Sequence, residues 1–239
     1  MNAQTNKLYE KTAIFNGDSI TAGSKIWGAW ADRIAERNSM TYKNYGVGGG
    51  TLTENVLFSS GAPRHSISAT LELMHEEYPD ADYIILEGGT NDADLIGFIT
   101  DENTPERLGS FDLLDFSGDY DNDTFCGALE SIFFRATKLW KGKKIGFIIA
   151  QKMGTEMPEF CNRRAYFDIA VILCEKWGIP YIDLWNTCYL NPNLPHMYDK
   201  EKSVDENIEA GSLYKDGQHL TSAGYDFVSD IIDSWMKTL

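Results

Sequence analysis

Positive charge is scarce in this chain. Its 239 residues include 21 Lys and Arg against 36 Asp and Glu, which leaves a formal net charge of −15. Nucleic acids and anionic membranes both favour partners that neutralise them with Lys and Arg. The charge balance therefore argues against nucleic acid and membrane surfaces as partners.

Long hydrophobic runs and paired cysteine motifs are also missing. No apolar run approaches the roughly 18 residues of a membrane span, and the opening MNAQTNKLYEK lacks the apolar stretch of a signal peptide. The cysteines, none of them in a CxxC pair, are Cys126, Cys161, Cys174 and Cys188. We expect free, mostly buried thiols, a reducing compartment and therefore a cytoplasmic protein. The sequence does not indicate an oligomeric state.

Short apolar runs alternate with helical periodicity along the whole chain. The hydrophobic content of 43% excludes disorder, and the length favours one domain over residues 1–239. The predicted strands are Thr12–Asn16, Thr41–Val47, Tyr83–Leu86, Ile145–Ala150 and Pro180–Leu184. The predicted helices are Ser24–Arg37, Ile67–Glu77, Phe125–Trp140, Glu159–Trp177 and Ser222–Met236. This alternation predicts an α/β fold with a parallel sheet covered by helices on both faces.

One long polar stretch, Ala93–Asp123, interrupts the pattern and is predicted to be an irregular acidic insertion. From Asp92 to Asp123 there are ten acidic residues and one arginine, a net charge of −9. If this stretch borders a binding cleft, it should repel anionic substrates. Three alternating aspartates mimic a calcium loop, but Thr124 occupies the position that requires glycine. We expect Asp123 and Thr124 to cap the next helix instead, and we expect no metal.

Polar clusters follow the predicted strands and precede the last helix. They are Gly17-Asp18-Ser19, Asn44 to Thr51, Gly88 to Asp92 and Asp216 to His219. Ligands of parallel α/β sheets bind at the carboxyl ends of the strands, so these clusters should meet at one edge. Their residue types suffice for acyl transfer: an imidazole accepts the proton of a serine hydroxyl, and a carboxylate orients the imidazole.

The same clusters contain donors for a developing oxyanion. The backbone N–H groups of Ser19 and Gly49 and the side-chain amide of Asn91 are the candidates. Glycine allows the backbone to approach a substrate without a Cβ in the way. A nucleotide site is disfavoured, because no Gly-Lys-Ser/Thr motif occurs.

Together the blocks resemble those of the SGNH hydrolase superfamily, the GDSL-like esterases and lipases. In chain order they are Gly17-Asp18-Ser19, Asn44-x-Gly46-x-x-Gly49-x-Thr51, Gly89-Thr90-Asn91-Asp92 and Asp216-x-x-His219. The resemblance implies a flavodoxin-like, three-layer α/β/α fold with a five-stranded parallel sheet. It also implies ester hydrolysis by a Ser19, His219 and Asp216 triad without metal or organic cofactor. Ile20 stands where the family's leucine is usual, and Gly48 and Gly50 stand where other members often carry Ser and Asp.

Other interpretations of these residues remain open at this stage. Ser19 by itself could simply cap a helix, and the chain could be a non-catalytic carbohydrate- or partner-binding module on a degenerate hydrolase fold. The complete ordered set favours a serine esterase acting on a small acyl ester, for which an acetylated carbohydrate is our expectation. Trp27 and Trp185 are the pocket candidates, since both lie shortly after predicted site elements.

Overall fold

The short apolar runs form a parallel sheet at the centre of the molecule. The computed structural model describes residues 6–98, 107–156 and 160–239. In it, five strands pair in the order β2-β1-β3-β4-β5, all parallel. They are β1 (Thr12–Asn16), β2 (Thr41–Asn44), β3 (Tyr83–Glu87), β4 (Lys144–Ile149) and β5 (Tyr181–Asp183). The predicted five-stranded parallel sheet is confirmed.

Helices cover both faces of this sheet. In the described ranges they are α1 (Ser19–Ala22), α2 (Trp30–Asn38), α3 (Ile67–Glu77), α4 (Thr90–Phe98), α5 (Phe125–Leu139), α6 (Phe160–Trp177), α7 (Leu184–Thr187), α8 (Val204–Glu209) and α9 (Ser222–Met236). Successive residues of β1 face opposite helical layers. Ile14 packs with α3, α5 and α6, whereas Ala13 and Phe15 pack with α2 and α9. This is the predicted three-layer α/β/α arrangement, with a hydrophobic core on each side of the sheet.

The helix predicted from Ser24 begins later, at Trp30. Gly23 and Gly28 both adopt positive φ, at 73° and 70°. The backbones of Ser24 and Gly28 hydrogen-bond to each other and close a small loop. A helix cannot pass through this loop, because left-handed backbone at glycine ends regular helical hydrogen bonding. The loop instead follows the short helix α1.

β2 ends at Asn44, three residues earlier than predicted. The Asn44 side chain accepts from the N–H of Gly46 at 2.9 Å and donates to the carbonyl of Thr21 at 2.8 Å. Such a side-chain turn competes with the strand ladder. The chain therefore leaves the sheet before the glycine cluster.

The helix predicted from Glu159 is observed from Phe160, and Glu159 lies outside the described residues.

The prediction that the whole of Ala93–Asp123 is irregular is wrong at its start, where α4 extends to Phe98. The acidic composition suggested a loop, but an acidic residue in the first helical turn is favourable to the helix dipole. Residues 99–106 lie outside the described ranges. At the other end Thr124 caps α5 by accepting from the N–H of Gly127 at 3.2 Å, as predicted.

The described part of the insertion packs on α5 and on the last turn of α6. The Lys176 ammonium donates to both oxygens of the buried Glu130 carboxylate at 2.7 Å and to the carbonyl of Asp112 at 2.7 Å. Phe116 packs edge to face on Trp177. These contacts join the insertion to the helical layer.

Three further expectations concern thiols, membranes and metals. Cys126, Cys174 and Cys188 are free and buried, as expected for three of the four thiols. None of the helices in the described ranges combines the length and apolar character needed to cross a membrane. Over the same ranges, no group of His, Cys, Asp and Glu side chains is arranged to hold a metal ion.

Candidate active site

Ser19 is the first residue of α1, immediately beyond the carboxyl end of β1. The capping role that serine often plays belongs here to Asp18, whose carboxylate accepts from the N–H of Ile20 at 2.8 Å. The Ser19 hydroxyl is therefore free of the helix cap. It instead makes a hydrogen bond with a histidine 200 residues away in the sequence.

Ser19, His219 and Asp216 form a connected hydrogen-bonded series. Ser19 Oγ lies 2.9 Å from His219 Nε2, and His219 Nδ1 lies 2.9 Å from Asp216 Oδ2. With its proton on Nδ1, the imidazole presents Nε2 as an acceptor for the serine hydroxyl. The three side chains predicted from sequence are thus brought together in the geometry of a nucleophile, a base and an orienting carboxylate.

The Asp216 carboxylate is held by several donors. Burial acts to raise its pKa, but the hydrogen bond and charge of His219, with the backbone N–H groups of His219 and Gln218, outweigh burial and lower it. Those two N–H groups donate to Asp216 Oδ1 at 2.7 and 3.1 Å. Asp216 is therefore an ionised carboxylate at neutral pH. Its negative charge accepts hydrogen bonds and stabilises a protonated imidazole.

The loop carrying Asp216 and His219 is tied to two other elements. The carbonyl of Gln218 accepts from the Gln151 side chain at 3.1 Å, just after β4. The Gln218 side chain accepts from Arg163 of α6 at 3.2 Å, and Arg163 also pairs with Asp94 of α4 at 2.5 Å. Arg163 is only 3% exposed. This buried arginine links the helix that begins at Thr90 to the loop containing His219.

The glycine-rich loop after β2 meets both the Ser19 turn and the Asn91 turn. The N–H of Val47 donates to the carbonyl of Gly17 at 3.0 Å. The Asn91 side-chain amide donates to the carbonyl of Gly50 at 2.8 Å. Gly49 between them has φ of 77°, a conformation natural to glycine. The predicted oxyanion donors therefore lie on segments that contact one another.

Two further side chains hold this loop. Asp92 is buried and accepts from the N–H groups of Leu52 and Thr53 at 3.0 and 3.1 Å. Arg64 donates to the carbonyl of Gly49 at 2.9 Å and lies over the ring of Phe58. Asp92 thus orders the backbone at Leu52 and Thr53, and burial raises its pKa.

A model of one family matches residues 15–227 and is described as the GDSL-like lipase/acylhydrolase family. The match includes the Ser19 turn, the glycine-rich loop, Asn91 and the loop bearing His219. The chain belongs to the GDSL-like lipase/acylhydrolase family. It is accordingly a hydrolase that acts on ester bonds, with a small-molecule ester as its substrate.

Solved structures share the fold across nearly the whole chain. A protein from Lactobacillus plantarum matches with a TM-score of 0.70 and 20% identity, covering 96% of this chain and 98% of its own. A lipase/acylhydrolase from Enterococcus faecalis has a TM-score of 0.58 and 17% identity, over 95% and 96%. A mutant of an acetyl-xylooligosaccharide esterase from Geobacillus has a TM-score of 0.58 and 16% identity, over 95% and 94%. No curated protein matches significantly.

The two tryptophans predicted for the pocket of this family member lie in different environments. Trp27 is half-buried in the small loop after α1. Trp185 is only 4% exposed and packs edge to face on Phe167 within the core. Its burial leaves almost no surface for a substrate to contact, so its position does not support the pocket prediction.

Sequence reasoning missed the charged residues beneath and beside the GDSL-like site. Glu87 lies at the end of β3 and is fully buried, and its carboxylate accepts from the N–H of Asp18 and the hydroxyl of Thr21. Arg163 and Arg64 were also missed. A signal existed for Glu87 alone, since an acidic residue ends an otherwise apolar, fully buried strand.

Gly46 and Gly48 provide a matched pair of substitutions in the glycine-rich loop. A Cβ at Gly46 would lie 2.7 Å from the backbone nitrogen of Ala22, whereas a Cβ at Gly48 would meet nothing within 4 Å. Gly46→Ala should push α1, and with it Ser19, out of place. We expect a lower kcat on a short-chain ester and a free energy of unfolding lower by about 1–3 kcal/mol.

Gly48→Ala is the control, and its free energy of unfolding should stay within about 0.5 kcal/mol of the parent. Urea unfolding and p-nitrophenyl acetate hydrolysis measure both variants. If Gly46→Ala kept the kcat and the free energy of unfolding of the parent, the close approach of the loop to α1 would be contradicted.

Proposed function

We propose that this chain is a serine esterase in which Ser19 is the nucleophile, His219 the general base and acid, and Asp216 the residue that orients and stabilises the imidazole. The observation that carries the proposal is the series of two 2.9 Å contacts from Ser19 through His219 to Asp216. Nucleophile, base and orienter at hydrogen-bonding distance are the arrangement that activates a serine hydroxyl.

The reaction proceeds in two balanced halves. Ser19 Oγ forms a bond to the acyl carbon while its proton passes to His219 Nε2, and the same proton then leaves with the alkoxide as the product alcohol. Water next attacks the acyl-serine, with His219 accepting a proton from it and returning that proton to Ser19 Oγ. The second half releases the carboxylic acid and restores the enzyme.

The negative charge of each tetrahedral intermediate requires donors. We assign this role to the backbone N–H groups of Ser19 and Gly49 and to the side-chain amide of Asn91. The contact between Asn91 and the carbonyl of Gly50 supports the assignment, because it sets the amide against the loop that carries Gly49. One amide hydrogen of Asn91 is used in that contact, and the second is available for the oxyanion.

The alcohol part of the substrate has a polar cavity available beside the catalytic loop. This cavity of about 300 Å³ is lined in part by Glu156, Asn193 and Tyr198. Tyr198 and Glu156 both lie against Gly217, where an added Cβ would approach them to 3.1 and 3.2 Å. Three carboxylates and one lysine line it, so the local charge favours a neutral, hydroxyl-rich group.

We therefore propose a small acyl ester of a carbohydrate, with acetyl as the acyl group. The aromatic face of Tyr198 and the polar lining suit a sugar ring, which presents both apolar and hydroxyl surface. Two structural neighbours are named for such chemistry, an acetyl xylan esterase and an acetyl-xylooligosaccharide esterase.

Ser19→Ala should abolish hydrolysis of p-nitrophenyl acetate while leaving the circular dichroism spectrum and melting temperature close to those of the parent. It should also abolish covalent labelling by a fluorophosphonate, because the nucleophilic oxygen is gone. Labelling of the parent would exclude a non-catalytic binding module. Substantial turnover by Ser19→Ala would refute Ser19 as the nucleophile.

Asn91→Ala should lower kcat by about 10²–10³, the usual cost of losing one oxyanion donor. KM should change much less, because the donor acts on charge that develops in the transition state. Steady-state kinetics on p-nitrophenyl acetate separates the two parameters. A kcat equal to that of the parent would refute the assignment of Asn91 as an oxyanion donor.

Tyr198→Ala should raise KM for an acetylated xylose while leaving hydrolysis of p-nitrophenyl acetate nearly unchanged. The two esters should respond differently because only the sugar ester reaches the cavity beside Gly217. Tyr189→Ala is the matched control, since Tyr189 is 84% exposed. Equal effects of Tyr198→Ala on both esters would count against the cavity as the site for the alcohol.

A further inference from the structure

Two carboxyl groups meet directly beneath the Ser19 turn. Asp18 and Glu87 are both 0% exposed. Glu87 Oε2 accepts from the N–H of Asp18 at 3.2 Å and from the hydroxyl of Thr21 at 2.9 Å, and Asp18 Oδ1 accepts from the N–H of Ile20 at 2.8 Å. The remaining oxygens, Asp18 Oδ2 and Glu87 Oε1, have no N–H or O–H donor among the described residues. Because Glu87 binds the backbone N–H of Asp18 itself, the two carboxyl groups are neighbours in the same buried site.

The surroundings cannot support two negative charges at this place. No basic side chain donates to either carboxyl in the described ranges. The charged or titratable groups that face the pair are His219 of the catalytic loop, Arg163 of α6 and Tyr225 of α9. Two neighbouring carboxylates in a buried site do not both ionise, so one retains its proton.

We propose that Asp18 and Glu87 share one proton between the two oxygens that lack other donors, and that this acid–carboxylate hydrogen bond positions Ser19. The inference rests on the proposed function of Ser19 as the nucleophile. Glu87 is the acid, and its Oε1–H donates to Asp18 Oδ2. Both carboxyl groups are positioning residues, because neither touches the reacting atoms and both hold the backbone of the Ser19 turn.

The pair holds the chain on both sides of the nucleophile. The N–H of Asp18, before Ser19, is bound by Glu87, and the N–H of Ile20, after Ser19, is bound by Asp18. The shared proton joins these two restraints and connects the end of β3 to the start of α1. Gly17 allows this close packing, since a Cβ there would lie 2.6 Å from Glu87 Oε2.

The ionisation of the pair agrees with this arrangement. Burial, the larger effect, raises the pKa of Asp18 to about 6, although the N–H of Ile20, the hydrogen bond from Glu87 and the charges of His219 and Arg163 oppose it. Burial and the neighbouring Asp18 raise the pKa of Glu87 well above its ordinary value. Both pKa values are thus raised, which is the direction expected where two buried carboxyl groups retain one proton.

Glu87→Gln tests the shared proton without disturbing the donor pattern. The glutamine carbonyl can replace Oε2 as the acceptor, and its NH₂ group can replace the Oε1–H as the donor to Asp18. We expect kcat at pH 7 close to that of the parent. Glu87→Leu removes both functions and should lower kcat about 10–100-fold, with little change in KM.

The pH dependence of stability provides a readout independent of activity. Unfolded Glu87 loses its proton near its ordinary pKa of 4.5, whereas the raised pKa of folded Glu87 keeps the proton bound to higher pH. The folded state then binds more protons, so the parent loses stability as pH rises above 4.5, by up to about tenfold in the folding constant per pH unit. Glu87→Gln lacks this loss. The difference between its melting temperature and that of the parent should therefore become more favourable to the variant from pH 5 to pH 8.

Glu76→Gln is the matched control, because Glu76 is an exposed glutamate of α3. Its melting temperature should keep a constant difference from the parent over the same pH range. Infrared spectroscopy supplies a second readout: the parent and Glu76→Gln should show a protonated carboxyl band at pH 7 that Glu87→Gln lacks.

The outcomes separate this inference from the proposed function. Absence of the carboxyl band from the parent, a pH-independent difference for Glu87→Gln, or parental kcat in Glu87→Leu would overturn it. If Ser19→Ala retained esterase activity while the band and the pH-dependent difference were present, the nucleophile assignment would fail and the shared proton would stand.

Discussion

The pairing of β1 with β3 is the constraint on which the rest of the site depends. These strands are parallel, with Asn16 opposite Leu86, so both chains leave the sheet at the same edge. The turn after β1 carries Ser19 and the turn after β3 carries Asn91. β2 pairs with the other side of β1 and delivers the glycine-rich loop from that direction. Three segments that are distant in sequence therefore meet at one edge of the sheet.

Buried polar side chains then select one arrangement of those segments. Asp92 holds the backbone at Leu52 and Thr53, Asp18 caps α1, and Arg163 joins α4 to the His219 loop. A satisfied hydrogen bond contributes only about 1 kcal/mol, but a buried group that loses its partner costs about 1–3 kcal/mol. Alternative loop positions would leave such groups unpaired, so these residues restrict geometry more than they add stability.

Elements with local signals were predicted well, and those that depend on neighbours were not. Ile67–Glu77 and Ser222–Met236 match the observed helices, and their caps, Ser66 and Thr221, stand directly before them in sequence. The helix predicted from Ser24 failed because Gly23 and Gly28 close a loop, and α4 was missed because its acidic residues resembled an insertion. Trp185 was placed near a pocket by its distance along the chain, yet the packing of Phe167 buries it.

The sequence by itself determined the fold class, the family and the chemical groups of the site, because residue type, order and hydrophobic period are local properties of the chain. Only the tertiary structure decided that Ser19 and His219 lie 2.9 Å apart and that Asp18 and Glu87 are both buried beneath the Ser19 turn. Contact distance and burial arise from the packing of segments up to 200 residues apart. Burial in turn changes which carboxyl keeps its proton, a property that residue type alone does not carry.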